Sequence, residues 1–178
     1  DGTNERGVNR IHWDLADEPN GPIDFSGAFP HGINYFGSIY TAGFACINGI
    51  VSFGEAVETY TPELFPVADQ PMIAPFWGDV DLDGDGNAES DNVEANNIIY
   101  YHEDVAGGRA IVTWHLVGYY ETKTNKLNSF QLVVQDRSSQ FLEGDFDVEF
   151  RYNRCEWTTG NASGGSNGLG GFGHIGAL

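Results

Sequence analysis

Positive charge is what this sequence has least of: eight Lys and Arg stand against twenty-six Asp and Glu, for a formal net charge of −18. Such a chain has no basic stripe to lay along phosphates, which argues against a nucleic-acid partner, and anionic membranes repel it. Cysteine is nearly missing as well. Cys46 and Cys155 lie far apart with no C-x-x-C between them. They are either one long-range disulfide or two buried thiols, and spacing does not decide which. No apolar run approaches the length of a membrane span, so membrane insertion is not expected. A sustained 3.6-residue period is absent too, and PELF near Leu64 offers one helical turn at most. The chain starts at Asp1 with no signal peptide and reads as one module of a longer multidomain polypeptide.

What is present is strand. Aromatic residues make up 13% of the chain, and 24 glycines and 7 prolines punctuate it. In DFDVEFRYN, Phe146, Val148, Phe150 and Tyr152 fall on one face, with Asp145, Asp147, Glu149 and Arg151 on the other. SFQLVVQD turns Phe130, Leu132 and Val134 inward, and RAIVTWHLVGYYE does the same with Ala110, Val112, Trp114 and Leu116. NNIIYYHE and GIVSFGE are shorter strands. AGGR, KTNK and LEGD supply turns between the runs. Strands at short spacing predict an all-β fold, an antiparallel β-sandwich with long calcium-binding loops and little helix. Residues 1–178 form a single module, with an irregular N-terminal part over 1–35 and a Gly-rich tail over 160–178.

Carboxylates crowd PFWGDVDLDGDGNAESDN, with Asp79, Asp81, Asp83 and Asp85 at every second position. Like charges this close need a cation between them. D-x-D-x-D-G over Asp81 to Gly86 matches the first half of an EF-hand-type calcium loop, in which a tight turn aims alternate side chains at one centre. Asn87 would add a carbonyl, and Glu89 or Asp91 would close the sphere. Asn92 stands where an EF-hand carries its bidentate Glu, and no helices flank the loop, so other segments must supply part of the shell. An oxygen-only donor set of this size favours Ca2+ over zinc or magnesium. Trp77, two residues upstream, either packs in the core or walls a pocket beside the ion.

The order INGIVSFGE, PMIAPFWGDVD, IIYYHE, RAIVTWHLVGYY, NSFQLVVQD and DVEFRYNRCEWTTG, followed by glycines, resembles the nidogen-like (NIDO) extracellular domain over about residues 40 to 175. The resemblance implies a secreted or cell-surface module of matrix and adhesion proteins, without enzymatic activity and with no defined ligand site to carry over. The D-L-D-G-D-G insertion departs from the animal pattern. It is similar to the calcium loops of large secreted RTX-type bacterial adhesins, in particular to their peptide-binding domains.

Other constellations carry less. GGSNG over Gly164 to Gly168 formally matches a nucleophile elbow, but no strand–helix flanks it and no acid follows Ser166. The five histidines form no metal-ligand pair. Asn161 to Ser163 is an N-glycosylation sequon, meaningful in a eukaryotic secretory route. Glycines in the tail are either a flexible linker or a close-approach surface presenting amides to an anion. On the latter reading Ser166, Asn167, Gly168 and Gly170 are ligand contacts. The expectation is a calcium-dependent extracellular adhesion module, binding a peptide or protein through a calcium-bridged carboxylate. A glycan-binding lectin, with Trp77 or Tyr101 as the stacking aromatic, and a calcium-rigidified spacer are the alternatives.

Overall fold

A computed structural model describes residues 20–65, 67, 70–82, 97–171 and 174–177. Its strands are β1 (Asn20–Asp24), β2 (Ile33–Tyr35), β3 (Ser38–Tyr40), β4 (Ala42–Cys46), β5 (Ile50–Phe53), β6 (Met72–Trp77), β7 (Val80–Asp81), β8 (Ile98–Asp104), β9 (Arg109–Tyr119), β10 (Lys123–Asp136), β11 (Phe146–Cys155) and β12 (His174–Ala177). All pairings among them are antiparallel. One five-stranded sheet runs β1-β4-β5-β6-β12; the other runs β11-β10-β9, with β7 and β8 both on the free side of β9. The β2–β3 hairpin is separate.

Alternation builds the core between the sheets. Val51, Phe53, Ile73 and Phe76 from the first sheet meet Val112, Trp114, Phe130, Leu132 and Val134 from the second. Phe130 lies between two rings, stacked on Trp114 at 5.0 Å and on Phe76 at 5.2 Å. Gly49, at φ 79°, lets the β4–β5 turn approach this junction, because any Cβ there would collide with the Phe76 carbonyl. On the outer face of the first sheet, Cys46, Ile50, Met72, Ala74 and Trp77 are covered by Val57, Phe65 and Val67.

One bulge corrects an expected face. Two residues of β10 span from Asn128 to Phe130 while three of β9 span from Val117 to Trp114. The extra residue puts Leu116 at φ 49° and moves it off the core face, which Val117 occupies instead. On β11 the register shifts only beyond Tyr152, which keeps its expected face opposite Phe130; at this sheet edge it is half-exposed, its hydroxyl donating to the Pro75 carbonyl at 2.7 Å. The PELF segment is a bend, without a helical turn, and the described residues contain no helix. Nor is the 1–35 stretch irregular from residue 20 onward, since β1 and β2 lie in it; residues 1–19 are outside the described residues. The tail likewise ends as strand, β12 pairing with β6. Cys46 is a buried thiol within 3.5 Å of the Ser52 hydroxyl, while Cys155 is exposed, and the two are not bonded.

Phe130→Ala leaves a cavity between two rings and is expected to cost about 3–5 kcal/mol in a denaturant unfolding experiment. A loss below 1 kcal/mol would mean the ring stack does not join the sheets.

Candidate functional site

The acidic stretch is flanked by β7 and β8, which both pair with the same side of β9. Asp81 pairs with Gly118 on β9, and Ile98 pairs with His115 on the same side of the same strand. The described strands on either side of residues 83–96 therefore meet β9 only three positions apart. Asn97, at φ 57°, closes this gap. Its amide donates to the Leu116 carbonyl at 3.0 Å and its Oδ1 accepts from the Gly118 amide at 2.7 Å, so it bridges both sides of the β9 bulge. Its Nδ2 is buried without an acceptor.

At the other root of the loop stands Asp79, on the corner between β6 and β7. Asn48 holds that corner by accepting from the Val80 amide at 3.1 Å and, through its carbonyl, from the Gly78 amide at 3.2 Å. Asp79 is only 8% exposed. Among the described residues no donor or cation meets its carboxylate. Burial, reinforced by the charge of Asp81, pushes its pKa from 3.8 up to about 6. Asp81 is less buried, and its Oδ2 accepts from the Thr122 amide at 2.9 Å. That bond holds the β9–β10 turn, where Glu121 and Thr122 both take left-handed φ, at 66° and 55°. A β-branched residue in that region is strained, and the carboxylate helps to retain it.

The Gly-rich loop meets this corner over Tyr119. A Cβ on Gly160 would lie 3.4 Å from the Asp79 carbonyl oxygen and from the Tyr119 Cβ, and one on Gly168 would lie 3.2 Å from the Tyr119 ring. Tyr119 donates to Asn125 at 2.8 Å, and Lys126 donates to the Asn167 carbonyl at 2.7 Å. The first two aspartates of the acidic series and the Ser166–Gly170 segment thus converge on one end of the sandwich. The expected cradle of tail amides is not open, however. Ser166 and Leu169 exchange backbone bonds of 2.8 and 3.1 Å, and the Gly168 amide donates to Asn161 Oδ1 at 3.3 Å. Gly170 accepts from the Thr159 hydroxyl through its carbonyl.

Trp77 is a core residue, 1% exposed, with its indole N–H donating to the Thr59 carbonyl at 2.9 Å. Tyr101 is buried too, its hydroxyl donating to the Asp24 carbonyl. Asp83, Asp85, Asn87, Glu89 and Asp91 lie outside the described residues. Among the described residues no three acidic, His or Cys side chains gather to hold an ion. Sequence reasoning missed Asn48, Asn97 and Thr122, whose backbone-directed bonds shape the corner. Asparagine beside glycine in INGI was the one available signal.

A shallow cavity of about 360 Å³ on the outer face of the second sheet is lined by Arg109, Arg137 and Arg151. Each is matched by a carboxylate, Asp104 at 2.8 Å, Asp147 at 2.7 Å and Glu149 at 2.8 Å respectively. It offers no net positive charge to an anion.

The fold is thus an antiparallel sandwich with an acidic stretch between two of its edge strands. The Nidogen-like domain model matches residues 42–174, and the chain belongs to that family. It is 38% identical to alpha-tectorin of Gallus gallus over 154 residues, covering 77% of this chain and 7% of that one. Alpha-tectorin of Homo sapiens is 37% identical over the same extent. Nidogen of Drosophila melanogaster is 26% identical over 127 residues, 62% of this chain and 9% of that protein. The chain thus spans less than a tenth of each of these relatives, which are large, secreted matrix proteins. Its own place is likewise extracellular. These relatives lend nothing to the bacterial adhesin resemblance, and no solved structure matches.

With divalent cations removed, ionised Asp79 is a liability. Its folded pKa of about 6 exceeds the unfolded 3.8. The folded state therefore holds the proton more tightly, and stability falls as pH rises between those values. The full loss is about 3 kcal/mol. Asp79→Asn is expected to stabilise the chelated protein by about 1–3 kcal/mol at neutral pH, and to add almost nothing below the unfolded pKa. Equal gains at both pH values in urea titrations would refute the assignment.

Proposed function

We propose that this nidogen-like module binds Ca2+ at its acidic end and, through the ion, a carboxylate on an extracellular peptide or protein, serving adhesion. The observation that carries the reading is Asp79, a residue only 8% exposed whose carboxylate lacks a counter-charge among the described residues. Burying a lone carboxylate is costly, and a divalent ion at the loop root offsets the cost. Asp81 and the sequence ligands Asp83, Asp85, Asn87, Glu89 and Asp91 would join it. Ca2+ accepts six to eight oxygens, so a shell of loop oxygens can leave one position for a ligand carboxylate. The ion also resolves an electrostatic conflict, since a chain of charge −18 otherwise repels acidic ligands.

A second reading is favoured by the closed hydrogen bonding of the Ser166–Leu169 turn. In it the ion only stiffens the excursion between β7 and β8, and the module is a spacer.

Calorimetric Ca2+ titration of chelator-stripped protein, with melts in parallel, tests the metal. Binding is expected to raise Tm, and Asp79→Asn and Asp83→Ala are each expected to weaken it at least about tenfold, because affinity follows ligand charge. Heat-silent titration at millimolar calcium, with unchanged melts, ends the reading. If calcium binds, carboxylate-bearing peptides bound only in its presence support the bridge, and none bound leaves the spacer.

A further inference from the structure

We infer that Asn161 is an N-glycosylation site, carrying an oligosaccharide on the rim of the Gly-rich loop. Asn161-Ala162-Ser163 is the single N-x-S/T triplet in the 178 residues. It falls in a connecting loop between β11 and β12, as such an acceptor requires, and all three of its residues are partly exposed. The extracellular placement of the chain and its animal relatives supply the secretory route on which the sequon depends.

The local geometry leaves the reacting atom available. Asn161 is held through its oxygen, Oδ1 accepting from the Gly168 amide at 3.3 Å. Its Nδ2 donates to no acceptor among the described residues and is not among their buried unsatisfied nitrogens. A glycosylated asparagine keeps its carbonyl oxygen as an acceptor, so the Gly168 bond survives the modification. The surroundings also have room. Gly164 has no neighbour closer than 4.0 Å to its would-be Cβ, and Gly170 has none within 4 Å. Leu169, opposite Ser166 in the same turn, is 48% exposed, an apolar surface that a sugar ring's C–H face would cover. In the folded chain the Ser163 hydroxyl lies 3.0 Å from the Thr61 hydroxyl, tying the sequon's third residue to the 55–65 segment. Attachment during translocation, before this contact forms, is compatible with it.

The chemistry balances as a transfer from a polyprenyl-diphosphate-linked oligosaccharide. Nδ2 forms a bond to the anomeric carbon of the first N-acetylglucosamine, the bond from that carbon to the diphosphate breaks, and the amide proton leaves with the lipid diphosphate. The glycan then occupies the outer side of the loop. Access to the acidic corner is left from the Asp81 and Thr122 side.

The test is peptide mapping of the chain secreted from an animal cell line. Expected is a glycopeptide at Asn161 whose glycan peptide-N-glycosidase releases, leaving Asp at that position. Asn161→Gln, which keeps an amide but places it one methylene further out, and Ser163→Ala are each expected to abolish it, and Ser163→Thr to retain it. Secreted wild-type protein with an unmodified Asn161 peptide overturns the inference, as does N-linked glycan persisting in Asn161→Gln. The wild-type map decides even if a variant is not secreted.

Discussion

A column of aromatic rings joins the two sheets and sets where everything else sits. Trp114, Phe130 and Phe76 stack in sequence, Trp157 packs edge-on to Phe76 at 5.2 Å, and Tyr119 leans on Trp157 at 5.8 Å. Each step combines buried area with preferred ring geometry, worth about 0.5–1.5 kcal/mol beyond burial per pair. The column runs from mid-sandwich to the acidic end. Its last member is half structural and half polar, since the Tyr119 ring supports the Gly-rich loop and its hydroxyl enters the Asn125–Asn167 network. The acidic corner therefore rests on rigid packing, the arrangement a site needs if its first ligands are to be held in place.

Charge follows the same division between the two sheets' surroundings. On the outer face of the second sheet, Arg109, Arg137 and Arg151 each face a carboxylate, and at its end Arg154 faces Glu156 at 2.8 Å. Such exposed pairs contribute little to stability. They do consume most of the few cations in the described residues. Lys123 reaches Glu121 only at 3.9 Å, and Lys126 is engaged with a carbonyl. Nothing positive among the described residues is left for Asp79. The outer face of the second sheet is thus close to neutral, while Asp79 is left without a counter-charge among the described residues.

Placing the acidic stretch inside an edge strand has a further physical consequence. β9 pairs with β10 on one side, bulges included, and receives β7 and β8 on the other, so the acidic stretch is inserted at the sheet edge and not in the core. The Leu116 bulge and Asn97 absorb the register mismatch with backbone hydrogen bonds, leaving the aromatic column unperturbed. Loop length and composition there can vary without affecting the sandwich, because loop closure costs rise slowly with length.

Period-two alternation was enough to determine the all-β class, most strand positions and most inward residues of β9, β10 and β11. A strand's side-chain direction is a local property, and one face of each was apolar. The acidic spacing likewise supplied the cation proposed above. Tertiary structure alone decided the rest. Leu116 left its expected face because a bulge depends on the partner strand's register, which one strand does not encode. Trp77 went to the core because a distant segment, 55–67, covers the outer face of the first sheet. The glycine-rich tail became a closed turn and a sheet strand because β6 offered it an open edge. Asp79 stood out from its fellow aspartates only through burial beside Tyr119 and Gly160, a contact between segments some eighty residues apart that no local pattern carries.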